Sequence, residues 1–264
     1  MTCRRQEQKQ RNTQSKPPVC VAHESKLPVF QPTRRPSRVR QQRFDTAHGS
    51  VTVTGKLGQG HRDVLDAVIA CCERSKLEDG RLAVLVDPYQ LRKMVSSGRD
   101  GGMFPYDHIR RLLRDLRTAE VVMDMPALKL RVTDGILADF EESAITKEPE
   151  SWEFQTKSGG RRPMLKVTFG KNWTRMMIMD LSVVYRLPIV IGMRHGASQA
   201  TARYCLSHRK VHDTLDGVLM KIGYDMTGKT PRAVNKVKSE IRSDAEALAA
   251  LGVMLTEKDT VHRG

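Results

Sequence analysis

Hydrophobic positions recur along the chain in two rhythms. At three- and four-residue spacing, Ile109, Leu112, Leu113 and Leu116 predict an amphipathic helix over Tyr106–Thr118, with Arg110, Arg111, Arg114 and Arg117 turned outward. The same rhythm in Val234, Val237, Ile241, Ala245 and Leu248 predicts a long helix over 230–251. Thr230 suits its N-cap, Pro231 its first helical position, and Gly252 its stop. Val64, Leu65, Val68 and Ile69 mark a helix over 60–72, and Ala202, Cys205 and Leu206 the inner face of one over 198–208. Shorter helices fit Asp87 or Pro88 through Met94, 170–179 and 215–222. Alternating or compact apolar runs predict strands at 50–55, 82–86, 121–123, 128–133 and 253–256. A hairpin is expected from 152–156 and 164–169, joined by a basic tip containing Lys157, Arg161 and Arg162.

That order is helix, strand, helix, helix, then hairpin, the order of a winged helix, and a similar order follows in the second half. The expected fold class is therefore α+β, with two tandem winged-helix domains over 49–180 and 181–264. No residue-level repeat accompanies the repeated order. Ahead of them, residues 1–48 are rich in Lys and Arg, carry few acids and are broken by Pro17, Pro18, Pro28, Pro32 and Pro36. This composition predicts a disordered basic tail able to lie along phosphates. One apolar island interrupts it, Leu27, Val29 and Phe30, which reads as a chance cluster or as a linear motif for a partner's groove.

Composition sharpens the picture on charge. The formal net charge is +15, with a sequence pI near 9.9, an excess that points to an anionic partner such as nucleic acid. No apolar run approaches the ~18–20 residues needed to span a bilayer, so no membrane partner is expected. Aromatic residues make up only 5%, so the cores must be aliphatic. Cys3, Cys20, Cys71, Cys72 and Cys205 are an odd number without C-x-x-C spacing, which suits a reduced cytoplasmic protein.

Candidate chemistry is sparse. Residues 223–230, GYDMTGKT, fit the phosphate-binding pattern G-x-x-x-x-G-K-[ST]. That loop needs a strand before it, and the chain continues too briefly after Thr230 for a nucleotide-binding sheet. A turn between two helices is the better reading, with Lys229 and the following amides near a DNA phosphate. His195, Cys205, His208 and His212 offer only one close ligand pair, short of a structural zinc site. Asp63 and Asp66 read as surface acids. No catalytic set, metal or cofactor is expected, and the protein reads as no enzyme. The front of the last long helix, by contrast, carries Arg232, Asn235, Lys236, Ser239 and Arg242. Arg and short polar side chains of this kind can read base edges. Arg110, Arg111 and Arg114 are expected to form a second reader.

Several motifs carry a resemblance: Phe169-Gly170-Lys171, Ser198-x-x-x-Ala202-Arg203, Leu206-Ser207-His208-Arg209, the stretch from Leu215 through Asp244, and Val261-His262. In pattern and order, residues 50–264 resemble the TrfA-type plasmid replication initiators. The resemblance implies binding to direct repeats (iterons) at a plasmid origin, melting of adjacent DNA and help in loading the host replicative helicase. It also implies contacts with the host initiator DnaA and the sliding clamp, and an inactive homodimer. Residues 26–30 are similar to the clamp-binding pentapeptide, with Lys26 in place of the usual Gln. A winged-helix repressor of a plasmid or phage operon is the alternative.

Overall fold

A computed structural model describes residues 20–98, 101–142 and 164–264. In chain order the first elements are β1 (Cys20–Val21), α1 (Ala22–Lys26), β2 (Val39–Thr46), β3 (Gly49–Gly55) and α2 (Gln59–Ala70). Then come β4 (Cys72–Glu78), β5 (Arg81–Val86), α3 (Pro88–Val95), α4 (Tyr106–Thr118), β6 (Glu120–Met125), β7 (Leu130–Val132), β8 (Leu137–Glu142) and β9 (Leu165–Phe169). The remainder is α5 (Lys171–Met179), β10 (Ser182–Val183), α6 (Leu187–Gly192), α7 (Gly196–Leu206), β11 (Val211–Thr214) and α8 (Leu215–Lys221). It closes with α9 (Pro231–Ser243), α10 (Ala245–Ala249), β12 (Met254–Leu255) and β13 (Thr260–Arg263). The class is α+β, as expected.

The main helices match the periodicity, and their inner faces are buried: Ile109, Leu112, Leu113 and Leu116 in α4, Ile241 in α9 and Leu248 in α10. The expected single helix over 230–251 is instead broken at Asp244. The Asp244 carboxylate accepts from the backbone N–H groups of Arg194 and His195, both at 3.1 Å, and so holds the entry to α7. Thr230 Oγ1 accepts from Ala233 N, and Gly252 stands at φ +77°, so the sequence's start and stop signals hold.

All pairings between these strands are antiparallel. The sheet orders are β2-β3-β6-β7, β4-β5-β9-β8, β11-β13-β12 and the pair β1-β10. β4 and β5 form a hairpin with Glu78 opposite Arg81. Its two-residue loop, Asp79-Gly80, has φ of +49° and +75°, the mirror-image turn that matches strand twist and suits an Asp-Gly pair. β9 pairs with β5 on one side and β8 on the other. Residues 152–156 lie outside the described residues.

With β4, β6, β7 and α10 set aside, the order α2, β5, α3, α4, β8, β9 is repeated by α7, β11, α8, α9, β12, β13. In both sets the last strand lies between the other two, as β5-β9-β8 and β11-β13-β12, and the first sheet carries β4 as an additional edge strand. Each set has its own core. One joins Val64, Leu65, Val68, Leu91, Leu113, Val167 and Trp173; the other joins Val190, Ala202, Leu215, Val218, Ile241, Leu248 and Val261.

The expected tail over 1–48 is corrected from residue 20 onward. β1 pairs with β10, α1 follows, and β2 is an edge strand of the first sheet. Leu27, Val29 and Phe30 are 2%, 2% and 5% exposed and belong to the first core. Fully burying side chains of this size contributes about 1.5–3 kcal/mol each. That removes them as a linear motif for a sliding clamp. The β1–β10 pairing also crosses the expected boundary between 180 and 181, and the second core starts only at Val190. Residues 1–19 lie outside the described residues.

Candidate nucleic-acid interface

α9 owes its amphipathic character to a stripe of Val234, Val237 and Ile241 against the second core. Lys229, Thr230, Arg232, Asn235, Lys236, Ser239 and Arg242 are all exposed on the remaining surface. They are not equally free. Arg242 Nε lies 3.0 Å from Asp259 Oδ1, and its Nη2 also bonds that carboxylate. The Thr230 hydroxyl is occupied in capping, 3.3 Å from Ala233 N. Lys229 Nζ stands 3.8 Å from the centroid of the Tyr224 ring. Lys238, beside this face, is held by Asp216 at 2.6 Å. Arg232, Asn235, Lys236 and Ser239 remain as an exposed row of donors without an ion pair among the described residues.

On α4 the arginines divide similarly. Arg110 is bound by Glu142 of β8, lies 3.4 Å from Asp107 and packs over the Tyr106 ring at 4.9 Å. Arg117 lies 3.4 Å from Asp139. Arg111 donates to His108 Nδ1 at 2.8 Å, and Arg114 is exposed with no ion pair among the described residues. Of the three expected contacts on this helix, Arg111 and Arg114 are therefore the accessible cations. Lys157, Arg161 and Arg162 lie outside the described residues, in the connection between the paired strands β8 and β9.

What sets the two units against each other is a buried polar network around Asp63 and Asp66, the two carboxylates expected at the surface. Asp63 and Asp66 of α2 are 4% and 0% exposed. Arg203 of α7 reaches Asp63 at 2.7 Å, Asp66 at 2.9 Å and the Gln59 side-chain oxygen at 2.8 Å. Arg62 bonds Asp66 at 2.9 Å and the Cys20 sulfur at 2.7 Å. Tyr185 donates its hydroxyl to Asp66 at 2.7 Å, and Gln199 donates to Asp63 at 3.1 Å and to the Val190 carbonyl at 3.0 Å. Burial pushes the Asp63 carboxyl up, and the charge and hydrogen bond of Arg203 oppose it. Burial also raises the Cys20 thiol to about 12, so it stays protonated and unreactive.

Glu24 is the weak member. Its Oε1 lies 2.9 Å from Arg62 Nη1 yet accepts no hydrogen bond. Burial pushes its carboxyl up to about 7 despite that guanidinium. One signal for this network was present: Gln59, Arg62, Asp63 and Asp66 recur at helical spacing beside the apolar stripe, as do Gln199 and Arg203 on α7. Such a stripe is indistinguishable from a solvated face until the partner helix is placed. His61 joins α2 to α4. It accepts from Gly58 N–H on Nδ1 at 3.1 Å, so its other ring nitrogen carries the proton toward Asp115 at 3.2 Å.

The phosphate-binding pattern falls between α8 and α9. Helix α8 stands where that motif needs a strand, and the nearby sheet is antiparallel. Cys205 is buried, while His208 meets His48 and His212 meets His262. No group of three His, Cys, Asp or Glu is arranged for a metal among the described residues. No helix among them is long and apolar enough to cross a membrane. The chain matches no protein-family model, no curated protein and no solved structure.

Proposed function

We propose that the protein is a non-enzymatic, sequence-specific DNA-binding protein that initiates plasmid replication by engaging direct repeats at an origin. The observation that carries this is the repeated order of helices and strands, with the three-strand pattern β5-β9-β8 matched by β11-β13-β12. That arrangement is the one expected of tandem winged helices, in which the third helix enters a major groove. In this reading α9 is the principal reader. Asn235 and Arg232 contact base edges, and Lys229, Lys236 and the opening amides of the helix hold phosphates. α4 is the second reader through Arg111 and Arg114, and Lys157, Arg161 and Arg162 bind backbone between β8 and β9. The net charge of +15 supplies the sequence-independent part of the affinity. The resemblance to TrfA-type initiators adds DnaA, the replicative helicase and a homodimeric store as partners. With Leu27, Val29 and Phe30 in the core, a sliding-clamp contact at that segment is not proposed.

The deciding experiment uses the DNA flanking the coding region, titrated with protein at several salt concentrations against a shuffled duplex. Preference for direct repeats beside an AT-rich stretch is the expected result; preference for a lone operator would instead make the protein a repressor. Asn235→Ala is expected to cost ~1–3 kcal/mol on the preferred site and to relax selectivity at one base position. Equal weakening on shuffled DNA would remove α9 from base readout.

A further inference from the structure

The turn between β2 and β3 faces the end of α7, β11 and the end of α8 across a cleft of about 440 Å³. That falls within the ~300–1,000 Å³ typical of small-ligand sites. Its wall carries Lys26, Lys210 and Lys221, three cations from three different segments, together with His48 and His208. Two carboxylates also line it, and both are engaged. Asp213 takes Lys221 Nζ at 2.6 Å and Thr214 N at 2.8 Å. Asp45 takes Arg43 through Nε at 3.1 Å and Nη2 at 2.8 Å. Lys26 and Lys210 have no ion pair among the described residues, so the cleft keeps uncompensated positive charge.

The imidazoles have a defined proton arrangement. His208 Nδ1 lies 2.8 Å from the Tyr204 carbonyl oxygen and so carries its hydrogen there. Its Nε2 then has a lone pair, and His48 Nε2, 3.3 Å away, donates to it. This leaves His48 Nδ1 as an unprotonated nitrogen. The Tyr204 and His208 rings pack with centroids 4.4 Å apart, giving the cleft an aromatic wall.

We propose that this cleft binds the phosphate group of a small phosphorylated ligand, held by Lys26 and Lys210, with His48 taking up a proton as the ligand enters. Protonation at His48 Nδ1 supplies a third donor without breaking the His48–His208 bond. In the free protein burial lowers the His48 pKa, and Lys26, His208, His23 and Lys221 lower it further. His208 is likewise lowered by burial and by Lys26, Lys221 and Arg263, against the hydrogen bond to Tyr204 that raises it. His23 is itself paired with Asp180 at 2.9 Å. A phosphate dianion cancels the repulsion from the lysines and so favours the imidazolium.

The test is a titration of the full chain with inorganic phosphate and, separately, with adenosine monophosphate, read on the histidine ring resonances by NMR. Either ligand should shift His48 and His208 and raise the His48 pKa. Equal affinity would assign recognition to the phosphate alone; tighter binding of the nucleotide would add stacking on the aromatic wall. The pair Lys26→Gln and Lys210→Gln, folded by circular dichroism, should weaken binding by about tenfold or more, since each removes a charge-assisted contact. Undisturbed histidine resonances with both ligands would overturn the proposal, as would unchanged affinity in the double variant. Displacement of the nucleotide by a short duplex would give the cleft to DNA and overturn it equally.

Discussion

Replacing Arg203 with Met tests what holds the two units together. The guanidinium is 3% exposed and serves Asp63, Asp66 and Gln59 at once. Asp66 keeps Arg62 and Tyr185 in the variant, but among the described residues Asp63 keeps only the amide of Gln199, at 3.1 Å, as a hydrogen-bond partner, with the charge of Arg34 farther off. A buried carboxylate left in that state costs about 3–5 kcal/mol. That is a large share of the roughly 5–15 kcal/mol that stabilises a typical protein. Burial already raises Asp63, and removal of its opposing arginine raises it further. A carboxyl raised above its unfolded value holds its proton better in the native state. Relative to the parent, the Asp63 contribution to the variant's stability is therefore greatest below the ordinary carboxylate range and is lost as pH rises through the new value. Urea denaturation followed by circular dichroism at several pH values measures both effects. Pairing Arg203→Met with Asp63→Leu removes the orphaned charge, and the double variant should recover to within about 1–2 kcal/mol of the parent. A single variant that loses less than about 1 kcal/mol, or a double variant no better than the single, would refute the reasoning.

Two further perturbations probe neighbouring features. Glu24→Gln is expected to flatten the pH dependence of stability between about 4.5 and about 7, where a native carboxyl raised to about 7 costs more as pH rises; an unchanged difference curve from the parent would show that Glu24 is charged throughout. Gly170→Ala places a Cβ 2.2 Å from the Gly135 carbonyl oxygen and should destabilise by about 1–3 kcal/mol, read by thermal melting. Gly60→Ala in α2 meets nothing within 4 Å and should stabilise by about 0.4–1 kcal/mol; similar effects from both would contradict the close approach at Gly170.

The sequence announces elements whose inner face is aliphatic and whose outer face is polar. α4 and the start of α9 are of this kind, because Ile109 through Leu116 and Thr230-Pro231 are local signals. β4 was illegible for the opposite reason. Cys-Glu-Arg-Ser-Lys-Leu-Glu is a largely polar strand, exposed on much of its length, and only the Asp79-Gly80 pair marks it as half of a hairpin. The burial of Asp63, Asp66 and Arg203 was hidden because each is compensated by a residue more than a hundred positions away or by one on its own helix. The exposed row Arg232, Asn235, Lys236 and Ser239 follows from periodicity alone. That Arg110 and Arg242 are tied to Glu142 and Asp259 does not, since those partners arrive through the tertiary fold.

The segment from Cys20 to Phe30 has a consequence for how the chain is made. Its strand pairs with residues 182–183, and His23 bonds Asp180. During synthesis Cys20, Val21 and His23 wait for partners more than 150 positions later. Contacts of such sequence separation close late and slow folding. A ribosome-bound intermediate ending before residue 180 would thus hold Cys20–Val21 as an unpaired strand, with Cys20 and Ala22 lacking Val183 and Leu206, a natural substrate for chaperones acting on nascent chains.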